Sequence, residues 1–159
     1  MSESQKEIAV LFVCMGNICR SPTAEGVFRH HAVAAGHADR LLIDSAGTHA
    51  YHVGEPPDRR AVAAAERRGV SLQDIYARRV SDEDFERFDH IIAMDEENLA
   101  RLQEQAPRHQ SKVRLFLEFS SSGEREVPDP YYGGAAGFER VLDLVEDASR
   151  GLLETLLKA

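Results

Sequence analysis

A cysteine, an arginine and a hydroxyl stand at offsets that suit chemistry on an oxyanion. The stretch Val13-Cys14-Met15-Gly16-Asn17-Ile18-Cys19-Arg20-Ser21-Pro22 lies where a short apolar run gives way to a helix start. Cys14 ends the run, Arg20 follows after five intervening residues, and Ser21-Pro22 suits an N-cap and a first helical position. A connection this short can curl its backbone N–H groups inward, and together with the positive end of the helix they make an anion site. The same site stabilises a bound phosphate and a thiolate. A free cysteine titrates near ~8.5, and a helix N-terminus with a neighbouring arginine lowers that value, so Cys14 is expected to be an ionised nucleophile. Arg20 presents a planar fork that grips two phosphate oxygens and follows charge into the transition state, which a lysine cannot do. Ser21 can donate toward the sulfur and ease its departure as a thiolate.

Single residues do not decide this. A cysteine ending an apolar strand is commonly a buried structural thiol; it is Asn17, Arg20, Ser21 and Pro22 at these offsets that favour chemistry. Neither nucleotide signature, G-x-x-x-x-G-K-[ST] or G-x-G-x-x-G, follows the strand. His49 and His52 are close in the chain and His30 adjoins His31, but helix neighbours diverge by about 100° and a loop pair lacks a third ligand, so no metal site is expected. Asp82, Glu83 and Asp84 read as helix-start charges.

The elements that must position these groups alternate. Ile8–Val13 is a continuous apolar run of the kind found in a buried parallel strand, and a helix with apolar spacing follows Ser21 until Gly36. Leu41–Ile43 is a second strand, and a Gly- and Pro-bearing loop runs from Asp44 to Pro57. Arg59–Arg68 is an alanine-rich helix closed by Gly69, and Ser81 starts another. His90–Met94 is a third strand, Asp95–Gln105 a helix ended by Pro107, and Val113–Phe116 a fourth strand. Ser120–Gly137 is irregular, and from Phe138 a long helix with one apolar face closes the chain. Strand–helix alternation predicts a parallel α/β sheet covered on both sides, and ligands bind such sheets at the carboxyl ends of the strands.

The chain has 159 residues, 43% of them hydrophobic, which suits one core: a disordered polar tail over residues 1–7 and one domain over 8–159. A formal charge of −8 argues against general binding of nucleic acid or anionic membrane, so an anion must be attracted locally. No apolar run reaches the roughly 20 residues of a membrane span or the core of a signal peptide. Two cysteines, Cys14 and Cys19, are too few and too close to staple the fold, so a reducing, cytoplasmic setting is expected.

The motif C-x-x-x-x-x-R-S with Gly16-Asn17-Ile18-Cys19 inside it, together with Asp129-Pro130-Tyr131-Tyr132, resembles the low-molecular-weight protein tyrosine phosphatase family. The resemblance continues through Asp44-Ser45-Ala46-Gly47, Phe88–Asp95 and Asn98-Leu99. It implies a three-layer fold with a four-stranded parallel sheet in the order 2-1-3-4 and a phosphate-binding loop, Met15 to Ser21, after strand 1. It implies hydrolysis through a phosphocysteine without cofactor or metal, with Asp129 as general acid and then base; Asp-Pro alone would be read as a turn. Asn17 and Ser45 would support the loop, with Ser21. Ile18, Tyr51, Tyr131 and Tyr132 would wall a cleft suited to a phenyl ring.

The implied partner is a phosphotyrosine-containing protein, with bacterial tyrosine kinases associated with such enzymes, and phosphate or related oxyanions would act as product or inhibitor. One departure is Ile75, where many relatives carry a histidine two residues before an Ala-Arg pair. Arsenate reductases of similar fold relay through further cysteines that this chain lacks, and relatives acting on phosphoarginine carry a small polar residue at the place of Ile18. A module that binds phosphate without turnover would need neither Cys14 nor Asp129. Cys19 matches a cysteine that shields the nucleophile by a reversible disulfide. After peroxide and then reductant, Cys19→Ser is expected to recover less activity than the parent; equal recovery removes the protective role.

Overall fold

The computed structural model describes residues 7–130 and 134–158. Residues 1–6 of the expected tail, and Tyr131 and Tyr132, lie outside the described residues. The order is β1 (Ile8–Cys14), α1 (Arg20–Ala34), β2 (Leu41–Gly47), α2 (Arg59–Glu66), α3 (Asp82–Arg87), β3 (His90–Ala93), α4 (Glu96–Gln105), β4 (Val113–Leu115) and α5 (Ala135–Lys158). The four strands are parallel in the order β2-β1-β3-β4, as the family resemblance implies.

β1 lies between β2 and β3, and separate apolar clusters cover its two faces, which explains its unbroken apolar run. Val10 and Phe12 point into one core with Phe28 of α1, residues of α2, and Leu142 and Val145 of α5. Leu11 and Val13 point into the other, with Phe85 of α3, Ile91 of β3 and Leu102 of α4. The Phe12 ring meets Phe28 and Phe116 edge-on at 5.5 and 5.1 Å between centroids, a geometry that adds about 1 kcal/mol per pair beyond burial. β1 is thereby fixed in depth, and with it the sulfur at its carboxyl end. Among the described residues no helix is long and apolar enough to cross a membrane.

Several boundaries differ from the expectation: α5 starts at Ala135 and not Phe138, α2 ends at Glu66 and not Arg68, and two further differences bear on the site. α1 begins at Arg20, so Ser21 is inside the helix and not its N-cap; Cys19 occupies that place, without a side-chain capping bond. Ser21 is unavailable as a cap because its hydroxyl faces Cys14 and Asn17. β2 extends to Gly47, four residues beyond the expected end at Ile43, because the polar Asp44 and Ser45 have partners that let them stay in the strand.

α5 passes so close to the turn at Phe116–Phe119 that a Cβ at Gly151 would be driven into the Phe119 carbonyl oxygen. Helix propensity alone favours alanine there by about 1 kcal/mol. The clash outweighs it: Gly151→Ala is expected to destabilise the fold by about 1–3 kcal/mol, read as a lowered midpoint in denaturant.

Candidate active site

The site begins with a backbone constraint. Asn17 sits in the left-handed region at φ 58°, which Asn tolerates better than most residues. Its side chain holds it there: Nδ2 donates to Ser21 Oγ at 2.8 Å and to Ser45 Oγ at 3.0 Å, and Oδ1 accepts the Arg78 N–H at 3.0 Å. Arg78 is itself pinned, its guanidinium donating to Asp44 and Asp84 while its carbonyl accepts from Gly47 N at 2.8 Å. The continuation of β2 runs along the turn, with Thr48 N donating to Cys14 O at 2.9 Å and His49 N to Met15 O at 3.0 Å. Only glycine permits this approach at position 47, since a Cβ would lie 2.8 Å from Met15 O and 3.2 Å from Gly16 C.

The buried Cys14 sulfur lies 3.1 Å from Ser21 Oγ and receives the Ser21 N–H at 3.4 Å. Arg20 is only 4% exposed; Nη1 donates to Asp95 Oδ2 at 2.6 Å and to Val127 O at 3.1 Å, and Nη2 reaches to 3.8 Å from Asp129 Oδ2. Burial alone would lower its pKa, but Cys14, the Asp95 hydrogen bond and Asp129 together raise it, so the guanidinium stays charged. The Asp129 side chain is 41% exposed and faces this guanidinium from the solvent side.

A cavity of about 340 Å³ unites these groups, with buried Cys14, Ile18 and Arg20 on one side and the more exposed Tyr51, His52 and Asp129 on the other. Met15, Gly16 and Cys19 also line it. Asn17, Ser21 and Ser45 stand behind the turn as a buried network. Tyr51 stacks on His49 with centroids 5.0 Å apart, and His52 Nδ1 lies 3.4 Å from Glu55 Oε1. Ile75 is buried in the apolar core, so support of the turn at Asn17 comes from the Arg78 main chain and from Ser45.

Three further contributors carry local signals in the sequence. Asp95 accepts from Arg20 with one oxygen and caps α4 through Asn98 N with the other; an Asp just past the third strand already marks the carboxyl edge of a parallel sheet. Glu25 follows Ser21 by four residues and precedes Arg29 by four, a stripe on one helix face. His52, weighed only as a metal ligand, lines the cavity.

A parallel α/β sheet whose central strand ends in a cysteine, facing an arginine and an acid across a turn of backbone amides, defines a phosphate-handling enzyme of the cysteine type. Residues 9–159 match the profile of the family described as low molecular weight phosphotyrosine protein phosphatase, and the chain belongs to that family. The low molecular weight phosphotyrosine protein phosphatase of Schizosaccharomyces pombe is 44% identical, over 95% of this chain and 98% of its own length. Among solved structures, a protein tyrosine phosphatase from Entamoeba histolytica with Hepes in its active site superposes with a TM-score of 0.93 at 40% identity, covering 96% of this chain and 98% of that one. YfkJ of Bacillus subtilis superposes with a TM-score of 0.91, also at 40% identity, over 96% of each chain.

Burial pushes the Cys19 thiol up to about 12, and the charges of Asp58, Cys14 and Asp129 act in the same direction. A raised thiol pKa keeps Cys19 protonated in the reduced protein and slows its reaction with alkylating agents at neutral pH. Iodoacetamide at pH 7 is expected to add one label per chain, on Cys14, with Cys19 reacting only as the pH approaches 12 or the chain unfolds; peptide mass mapping reads the order.

Proposed function

We propose that the protein removes phosphate from phosphotyrosine in protein substrates through a phosphocysteine intermediate. The observation that carries this reading is the convergence of the Cys14 sulfur, the Arg20 fork and the Asp129 carboxylate on one cavity. The phosphoryl group enters the turn, where amides of residues 15–21 and Arg20 take its oxygens. The Cys14 thiolate attacks phosphorus, the phosphorus–phenol oxygen bond breaks, and Asp129 delivers its proton to the departing oxygen. Water then attacks the phosphocysteine and gives its proton to Asp129. The phosphorus–sulfur bond breaks with its electron pair returning to sulfur, where the Ser21 hydroxyl stabilises the thiolate. Inorganic phosphate leaves, and no step calls for a metal or other cofactor.

Arg20 is held ready for this by Asp95 and the Val127 carbonyl, which leave its other nitrogen on the Asp129 side. Ile18 and Tyr51 offer apolar and aromatic walls that suit a phenyl ring better than the guanidino group of phosphoarginine. Cys19 lines the same cavity as Cys14, which supports a protective partnership between them under oxidation. Free thiols at both positions fit work in a reducing, cytoplasmic compartment.

The test compares hydrolysis of phosphotyrosine, phosphoserine and phosphoarginine peptides without added metal. The parent is expected to prefer phosphotyrosine, Cys14→Ser to fall to background, and Asp129→Asn to lose about 10²-fold or more in kcat. Full turnover by Cys14→Ser, or a preference for phosphoarginine, overturns the reading.

A further inference from the structure

We propose that Glu25 is a positioning residue for Cys14: it sets the direction of a buried hydrogen-bond chain through Ser45, Asn17 and Ser21, so that the chain ends with a hydroxyl proton on the sulfur. The inference rests on the reading of Cys14 as nucleophile.

Direction in such a chain is decided by groups that can only accept or only donate. Glu25 lies in α1, one turn after Ser21, and is 6% exposed. Its Oε1 is 2.6 Å from Ser45 Oγ, and a carboxylate only accepts, so Ser45 gives its proton to Glu25. Its Oε2 takes the Arg29 Nη2–H at 2.8 Å, and the same Arg29 nitrogen also donates to the Ile43 carbonyl at 2.9 Å. The Arg29 guanidinium thus meets the carboxylate with an opposite charge.

With its proton committed, Ser45 can only accept from Asn17. Asn17 turns its amide nitrogen toward Ser45 and Ser21 and its oxygen away, an orientation set from two sides, by the proton-committed Ser45 and by the donor-only Arg78 N–H. Both amide hydrogens are then used, and Ser21 Oγ is an acceptor from Asn17. The Ser21 proton has two remaining acceptors, Cys14 Sγ at 3.1 Å and the Ala46 carbonyl at 3.5 Å. The sulfur is nearer, and as a thiolate it attracts the proton more strongly.

A purely structural account of Glu25 is weaker. Its ion pair is an i,i+4 contact with an Arg29 side chain that is 42% exposed, and such pairs contribute little, whereas burying a carboxylate is costly. The bond to Ser45 gives the carboxylate a task that an amide could fill only by turning its oxygen to Ser45 and its N–H against the Arg29 donor.

The experiment follows the pH dependence of Cys14 alkylation, with labelled peptides identified by mass, in the parent, Glu25→Gln, Ser45→Ala and the double variant. In Glu25→Gln, Arg29 draws the amide oxygen, the amide N–H faces Ser45, and the Ser45 proton loses its acceptor. The alkylation midpoint is expected to rise by about one pH unit and kcat on an aryl phosphate to fall about tenfold, with KM within about twofold of the parent. Ser45→Ala is expected to shift the midpoint in the same direction, and the double variant to be no worse than the more affected single.

An unchanged midpoint in a folded Glu25→Gln protein, or effects that simply add in the double variant, overturns the proposal. Should Glu25→Gln not fold, an unchanged midpoint in Ser45→Ala overturns it alone. A parent midpoint at the ordinary thiol value is a separate result: it overturns the nucleophile assignment, and this inference with it.

Discussion

Everything in the site follows from making a strand turn into a helix within the residues between Cys14 and Arg20. The connection is possible because Asn17 accepts a left-handed backbone, a conformation that costs an ordinary residue about 1–2 kcal/mol. Three side-chain hydrogen bonds, reaching α1, β2 and the segment before α3, offset that cost and fix the turn against three separate parts of the fold. The sulfur, the amides and the first residue of α1 then converge without further adjustment. Under the proposed mechanism, pre-organisation of this kind lets charge develop on phosphorus without the surroundings having to move.

The second constraint is electrostatic. The chain carries a formal charge of −8, yet on the proposed reading the cavity receives an anion. One buried guanidinium resolves the conflict. Arg20 is held by Asp95 and a carbonyl on one side and approached by Asp129 on the other, so its orientation is set before any phosphate arrives. Asp95 is itself oriented, because its second oxygen caps α4. The acid that aims the arginine is in this way tied to the secondary structure of the opposite layer of the fold.

Much of this was legible in the sequence, and the reasons are local. The β1 run, the Cys14 to Ser21 spacing and the helix starts at Ser81 and Asp95 are patterns of neighbours, and neighbours are what a sequence displays. Ser21 misled as an N-cap because its hydroxyl serves long-range partners instead of its own helix. β2 proved longer than expected because Asp44 and Ser45 look like loop residues until Arg78, Asn17 and Glu25 supply their partners. Glu25 and Asp95 escaped for the same reason: their roles are defined across 20 and 75 residues of chain. Pairings at that distance are set by topology, which spacing alone does not encode.

The backbone bonds that tie Thr48 and His49 to Cys14 and Met15 have a consequence for how recognition can change. They involve no side chains, so the segment carrying His49, Tyr51 and His52 is registered to the reacting centre whatever residues it bears beyond Gly47. The wall of the cleft can therefore be rewritten one side chain at a time while its height above the sulfur stays constant. A scaffold so arranged separates the choice of substrate from the chemistry performed on it, and allows the first to diversify under a fixed second.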